Sequence, residues 1–195
     1  MLPSGQLVNS NQQNVDTILS NGLERTVNLT SRGERSSSVE RVDPFNPTVI
    51  SDIGPFMMEG SFADYAALHL VTSSTIARLQ ELYPAGDFEV SRFRPNILVE
   101  SGNSKASFTE NEWVGRILSI GREVRLQITD PCPRCLIPTL PQGDLSGDPQ
   151  ILRTIAEHNR PSVPVLDGEN LPSVGVYGFV ISGGTVHCGD FIHLE

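Results

Sequence analysis

Cysteine is scarce in this sequence: Cys132, Cys135 and Cys188 are the only three in 195 residues. An odd and sparse set cannot build a disulfide framework, and it fits a reducing compartment. Positive charge is also short, with 14 Lys and Arg against 23 Asp and Glu and a formal net charge of -9. That balance, without a dense basic stripe, opposes binding to another polyanion and predicts no nucleic-acid partner. Net charge does not describe the inside of a cleft, where single arginines can still be focused. No apolar run approaches the roughly 20 residues that span a bilayer, so no membrane partner is expected. Met1-Leu2-Pro3-Ser4-Gly5 has neither the basic nor the apolar region of a secretory leader. The expected location is cytoplasmic.

What the chain has in quantity is Gly (17) and Pro (14), which favour turns over long helices and tilt the class towards β. Residues 1–60 read as an N-terminal extension of short helix, loops and edge strands, and residues 61–195 as the main domain. In the extension, Val15, Ile18 and Leu19 share one face of a short helix, with Asn14 placed to cap it and Gly22 to end it. Residues 31–38 are polar enough to predict a mobile loop, and Pro44, Pro47 and Pro55 punctuate the stretch leading into the main domain.

In the main domain, Ile76, Leu79 and Tyr83 recur at helical spacing behind the hydroxyls of Thr72-Ser73-Ser74, and Pro84 stops the segment. Strands are expected at 97–99, 116–120 and 124–128, the last two joined at Gly121 as a hairpin. A second helix begins at Asp148-Pro149, presents Ile151, Leu152 and Ile155, and ends near Asn159-Arg160-Pro161. Strands at 174–181, 185–187 and 191–194 with Gly-rich turns complete a mainly β barrel or sandwich with a few short helices.

Cys132 and Cys135 form a Cys-x-x-Cys unit that spacing alone leaves open between a zinc half-site, a redox pair and two structural thiols in a loop after a strand. Zinc needs a second ligand pair, and only Cys188 and the separated His69, His158, His187 and His193 remain. A thioredoxin-like pair needs a helix after the first cysteine, and Pro138 and Pro141 oppose one. Arg134 shifts the balance, because a guanidinium beside a thiol lowers its pKa and binds anionic oxygen with fork geometry. A soft thiolate beside an anion clamp suits a soft metal carried by an anionic cofactor.

Arg92-Phe93-Arg94-Pro95-Asn96-Ile97, Phe108-Thr109-Glu110-Asn111-Glu112-Trp113, Cys132-Pro133-Arg134-Cys135, Gly175-Val176-Tyr177 and Gly189-Asp190 stand in that order. Together they resemble a MOSC domain from about residue 62 to 195. This module lies at the C-terminus of molybdenum cofactor sulfurases and in the mitochondrial amidoxime reducing component. The resemblance implies a MOSC-type β-barrel and a molybdenum cofactor (Mo-molybdopterin) at the barrel's end. It implies Cys135 as molybdenum ligand and catalytic residue, Arg94, Asn96 and Arg134 on the pterin or its phosphate with Arg92 beside them, Ser73, Ser74 and Thr75 as nearby hydroxyls, and Tyr177 closing the pocket.

Each has a plainer alternative: arginines paired with surface acids, hydroxyls as a helix cap, Tyr177 and Trp113 as core. The implied activity is reduction of a small N-hydroxylated or N-oxygenated substrate. Fuller relatives carry a longer N-terminal β domain, and some append an iron-sulfur domain for which no cysteines are left here, so electrons would come from a separate donor protein. The competing expectations are a carrier of the cofactor or of persulfide sulfur, resting on the paired thiols, and a barrel that has lost the cofactor.

Overall fold

The computed structural model describes residues 2, 5–30, 40–42, 48, 50–52, 65–102 and 105–195. The expectations placed at 31–38 and at Pro44, Pro47 and Pro55 lie outside the described residues. Helix α1, Val15–Gly22, forms where the apolar spacing puts it, but Asn14 makes no side-chain cap bond. Strands β1, Glu40–Val42, and β2, Ile50–Asp52, pair antiparallel.

The main sheet has six strands and mixed pairing, curled into a half-barrel. They are β3 (Leu68–Thr72), β4 (Ile97–Val99), β5 (Ile117–Ile120), β6 (Val124–Pro133), β9 (Ser173–Ser182) and β10 (Ile192–Leu194), in the order β10-β5-β6-β9-β3-β4. Only β3 and β4 run parallel, joined through α2, Ser73–Leu82. Helix α3, Gln150–His158, and the short pair β7 (Ser162–Val163) and β8 (Glu169–Asn170) lie between β6 and β9 in the chain. Three helices in the described residues and one dominant sheet make the fold mainly β, as expected.

Local chemistry explains most of these elements. Gly121, at φ +59°, turns β5 into β6 in a backbone region that favours glycine. The Asp148 carboxylate accepts from the Gln150 amide at 2.8 Å and so starts α3. Thr72 does the same for α2, accepting from Thr75 N at 3.1 Å.

The two sides of the sheet bury different sets. Leu70, Val99, Trp113, Leu118, Ile120, Leu126, Ile128 and Val176 form one cluster, and Trp113 is thereby a core residue. Val71, Leu79, Phe88, Phe93, Ile151, Ile155 and Val174 form the other, which seats α2 and α3. Leu70 and Val71 are neighbours with opposite facings, so β3 is buried on both sides.

Two strand expectations are corrected. No strand forms at 185–187: His187 N donates to Asp190 Oδ2 at 2.8 Å and Asp190 N returns to His187 O, a local turn in place of a ladder. Strand β6 does not stop at 128 but runs to Pro133, so Cys132 lies in a strand rather than in a loop after one. Pro131 and Pro133 have no N–H to give, and the β6 to β9 register shifts across them.

Candidate functional site

The shifted register brings three strands together around one sulfur. On β3, His69 pairs with Tyr177 of β9, which pairs with Asp130 of β6. Asp130 is itself fixed, accepting from Tyr65 Oη at 2.9 Å and from Val165 N at 2.8 Å. His69 Nε2 lies 3.0 Å from the Val174 carbonyl. That approach is possible because Gly175, at φ +80°, has no side chain to fill the space beside it.

Cys132 sits beside this row, 3% exposed. The Arg134 guanidinium donates from Nη1 to its Sγ at 3.0 Å. Burial works against a charged sulfur, but Arg134 first, then the His69 ring and the Tyr177 hydroxyl, outweigh it and bring the thiol down to about 6. These groups favour the charged form of Cys132, whereas its spacing to Cys135 suggests no more than a secondary thiol.

The second arm of Arg134 reaches another segment. Nη2 donates to the Phe93 carbonyl at 3.1 Å, and the guanidinium carbon lies 5.7 Å from the centroid of the Phe93 ring. The backbone N–H of Arg134 is held by the Pro172 carbonyl. The Arg92–Asn96 run and the cysteine segment, far apart in the chain, are thus joined through one guanidinium. Its Nε is buried without a partner among the described residues.

Three residues beside this clamp have donors or ligand atoms to spare. Arg94 takes φ +53° immediately before a proline, a conformation that costs about 1–2 kcal/mol and is disfavoured there. Its exposed guanidinium has no partner among the described residues. Asn96 clasps β3, its Oδ1 accepting from His69 N and its own N–H donating to His69 O, both at 2.8 Å. That leaves its Nδ2 unengaged among the described residues. Cys135 is half-buried and unbonded there.

Other predicted site residues are placed elsewhere. Arg92 is 1% exposed and spends its guanidinium on three carbonyls, Asp87 at 2.7 Å, Pro138 at 3.3 Å and Ser146 at 2.8 Å, with the Asp87 carboxylate 3.8 Å away. It ties three loops together, its guanidinium engaged within the chain. The hydroxyls are likewise engaged within the chain. Ser73 Oγ donates to Glu100 and accepts from Ser101 N, each at 2.9 Å. Ser74 Oγ is bound to the Lys105 and Ser107 backbone, and Thr75 Oγ1 donates to Glu110 Oε2 at 2.6 Å. Tyr177 packs edge-on against Tyr65 at 5.4 Å, and the thiol that its hydroxyl favours is Cys132.

Glu110 is the knot beneath those hydroxyls. Thr72 and Thr75 both donate to its Oε2 at 2.6 Å, and Oε1 has no partner among the described residues. Burial pushes this carboxyl above the ordinary range, and the two hydroxyl bonds offset it only in part. A folded pKa above the unfolded one gives stability that is complete below the unfolded value, about 4.3, and is lost as pH rises through the folded value. Denaturation midpoints of the wild type and Glu110→Gln, compared from pH 5 to pH 8, should show the wild type losing ground to the variant as pH rises. A constant difference would mean that Glu110 is ionised throughout.

Among the described residues no three His, Cys, Asp or Glu side chains converge as a metal site, and no helix is long and apolar enough to cross a membrane. His69 is the residue that sequence reasoning undervalues, because spacing presents it only as a separated zinc ligand. Its place shows only when β3 pairs with β9.

A search of curated proteins returned no match. The family model of the MOSC domain matches residues 58–193, which takes in the cysteine segment, the Arg94 loop and every strand of the main sheet. This is a family associated with molybdenum-cofactor-binding and sulfurase-type proteins. By that match, and with the curled, mainly β sheet it predicts, the chain belongs to the MOSC domain family.

Proposed function

We propose that the chain binds a molybdenum cofactor through Cys135 and reduces N-hydroxylated or N-oxygenated small molecules, with electrons from a separate donor protein. The observation that carries this is the Arg134 bridge, which joins the segment of Cys135 to the loop of Arg94, both without a side-chain partner among the described residues. The donor set suits the group: a soft sulfur for the metal, a guanidinium fork for a phosphate, an amide for polar pterin edges.

Cys135 would hold the metal, Arg94 the phosphate and Asn96 Nδ2 a polar edge of the ring system. When bound, the cofactor supplies two-electron oxygen-atom transfer. The chain binds and orients it and keeps the Cys135 loop in place. Arg134 stands behind these contacts as a clamp, its arms already taken by Cys132 and Phe93.

The test is purification from cells that make the cofactor, with molybdenum measured and amidoxime or hydroxylamine reduction assayed with an artificial donor. Near-stoichiometric molybdenum and turnover support the proposal, and metal-free protein overturns it. A second reading, a carrier of sulfur on Cys135, is favoured by a second thiol three residues away, Cys132, whose sulfur the Arg134 guanidinium contacts at 3.0 Å. Mass spectrometry after incubation with a persulfide donor, whose outer sulfur passes to the thiolate as the donor leaves as a thiol, separates the two, since the carrier gains a stable sulfur and shows no reductase turnover.

A further inference from the structure

We propose that Cys132 is a positioning residue, whose sulfur holds the Arg134 guanidinium in the pose that also grips Phe93 O and thereby fixes the Arg94–Asn96 loop against the Cys135 segment. The geometry is specific. One arm of the guanidinium is 3.0 Å from Cys132 Sγ and the other 3.1 Å from the Phe93 carbonyl. A guanidinium is planar, so fixing one arm fixes the direction of the other.

The sulfur cannot drift, because it lies 3% exposed on a strand, between two prolines that interrupt the ladder. The charged and titratable groups around it are Arg134 on its own segment, His69 on β3 and Tyr177 on β9. His69 is in turn held by Asn96 from the loop that Arg134 grips, so the loop is fastened at both ends. Phe93 O fastens one end and the Asn96 clasp the other, with the strained Arg94 between them.

A neutral thiol at 132 would leave the guanidinium half-buried without a counter-charge and free to leave Phe93. The proposal requires negative charge at the anchor, so a serine of similar size should not replace it, whereas an aspartate should. This inference takes from the proposed function only the idea that the Arg94 loop matters to a cofactor; the anchoring itself needs none.

Amide hydrogen exchange over residues 93–99 of the full, metal-free chain tests it. Cys132→Ala and Cys132→Ser should speed exchange there about tenfold or more, while residues 117–120 stay as in the wild type, and Cys132→Asp should restore protection. Unchanged exchange in Cys132→Ala, or equal loss in Cys132→Asp, overturns the proposal. Should the alanine variant loosen the whole sheet, a second measurement decides. Thiolate absorbance in a Cys135→Ser, Cys188→Ser background should titrate near 6 and move up when Arg134 is replaced by Met. Titration at the free-thiol value of about 8.5 with Arg134 in place overturns it as well. Failure of the cofactor reading would show separately, as wild-type protein without molybdenum and with its exchange pattern intact.

Discussion

On the proposed assignment, replacing Cys135 by serine should leave a folded chain that purifies without molybdenum. The side chain is half-buried and lies just past the end of β6, with no bond among the described residues to lose. Exchanging sulfur for oxygen there should cost the fold less than about 0.5 kcal/mol. The effect on the metal is of another size. A serine hydroxyl is neither soft nor ionised at neutral pH, so no first ligand remains for a soft metal. Loss of a partner that merely orients a ligand already costs about 10–100-fold in metal affinity, and loss of the ligand itself should exceed that. Metal analysis of wild type and variant, beside their thermal denaturation, checks both halves. A serine variant that keeps its molybdenum would move the ligand elsewhere and end the assignment.

Gly175→Ala should be the most damaging small substitution in the sheet. At φ +80° an alanine is already strained by about 1–2 kcal/mol. Its Cβ would also lie 2.7 Å from Val71 Cγ2 and closer still to His69 Nε2 and the Leu70 carbonyl. Two of those neighbours belong to the β3 backbone or core, so relief requires β3 to part from β9. A loss above about 3 kcal/mol is expected, or roughly 6–12 °C in melting temperature for a chain of this size. Displacing His69 also removes one of the groups that favour the Cys132 thiolate, so the thiol should rise from about 6 in whatever fraction folds. A variant within about 1 kcal/mol of the wild type would show that the sheet yields there cheaply.

The elements that read well from sequence are those with one buried face. Helices α2 and α3 carry capping residues and a helical apolar period, and the β5–β6 hairpin alternates around Gly121. Strand β3 is invisible for the opposite reason: Leu68 to Thr72 is buried on both faces and shows no alternation. The end of β6 is hidden by prolines, which argue against a strand unless a bulge takes them in.

The site divides in the same way. Arg94, Asn96 and Cys135 keep donors or ligand atoms without partners among the described residues. Arg92, Ser74 and Thr75 belong to the same motifs, but their polar atoms are consumed by carbonyls and by Glu110. A motif tells which residues travel together, and only the packing tells which of them face outward. The standing of Cys132 is legible only in part: Arg134 is its near neighbour in the sequence, but His69 and Tyr177 come from strands that no local pattern brings near it.

The strand order also has a consequence for synthesis. His69 and its carbonyl partner at Val174 are 105 residues apart, and β9 is the strand that both β3 and β6 need as a neighbour. At ribosomal rates that interval is roughly 5–20 s, during which β3 waits with one edge open and the Cys132 pocket has no Tyr177 wall. Pairing at such separation also folds slowly, because loop closure precedes any reward. The pocket around Cys132 is therefore completed only once β9 has been made and paired.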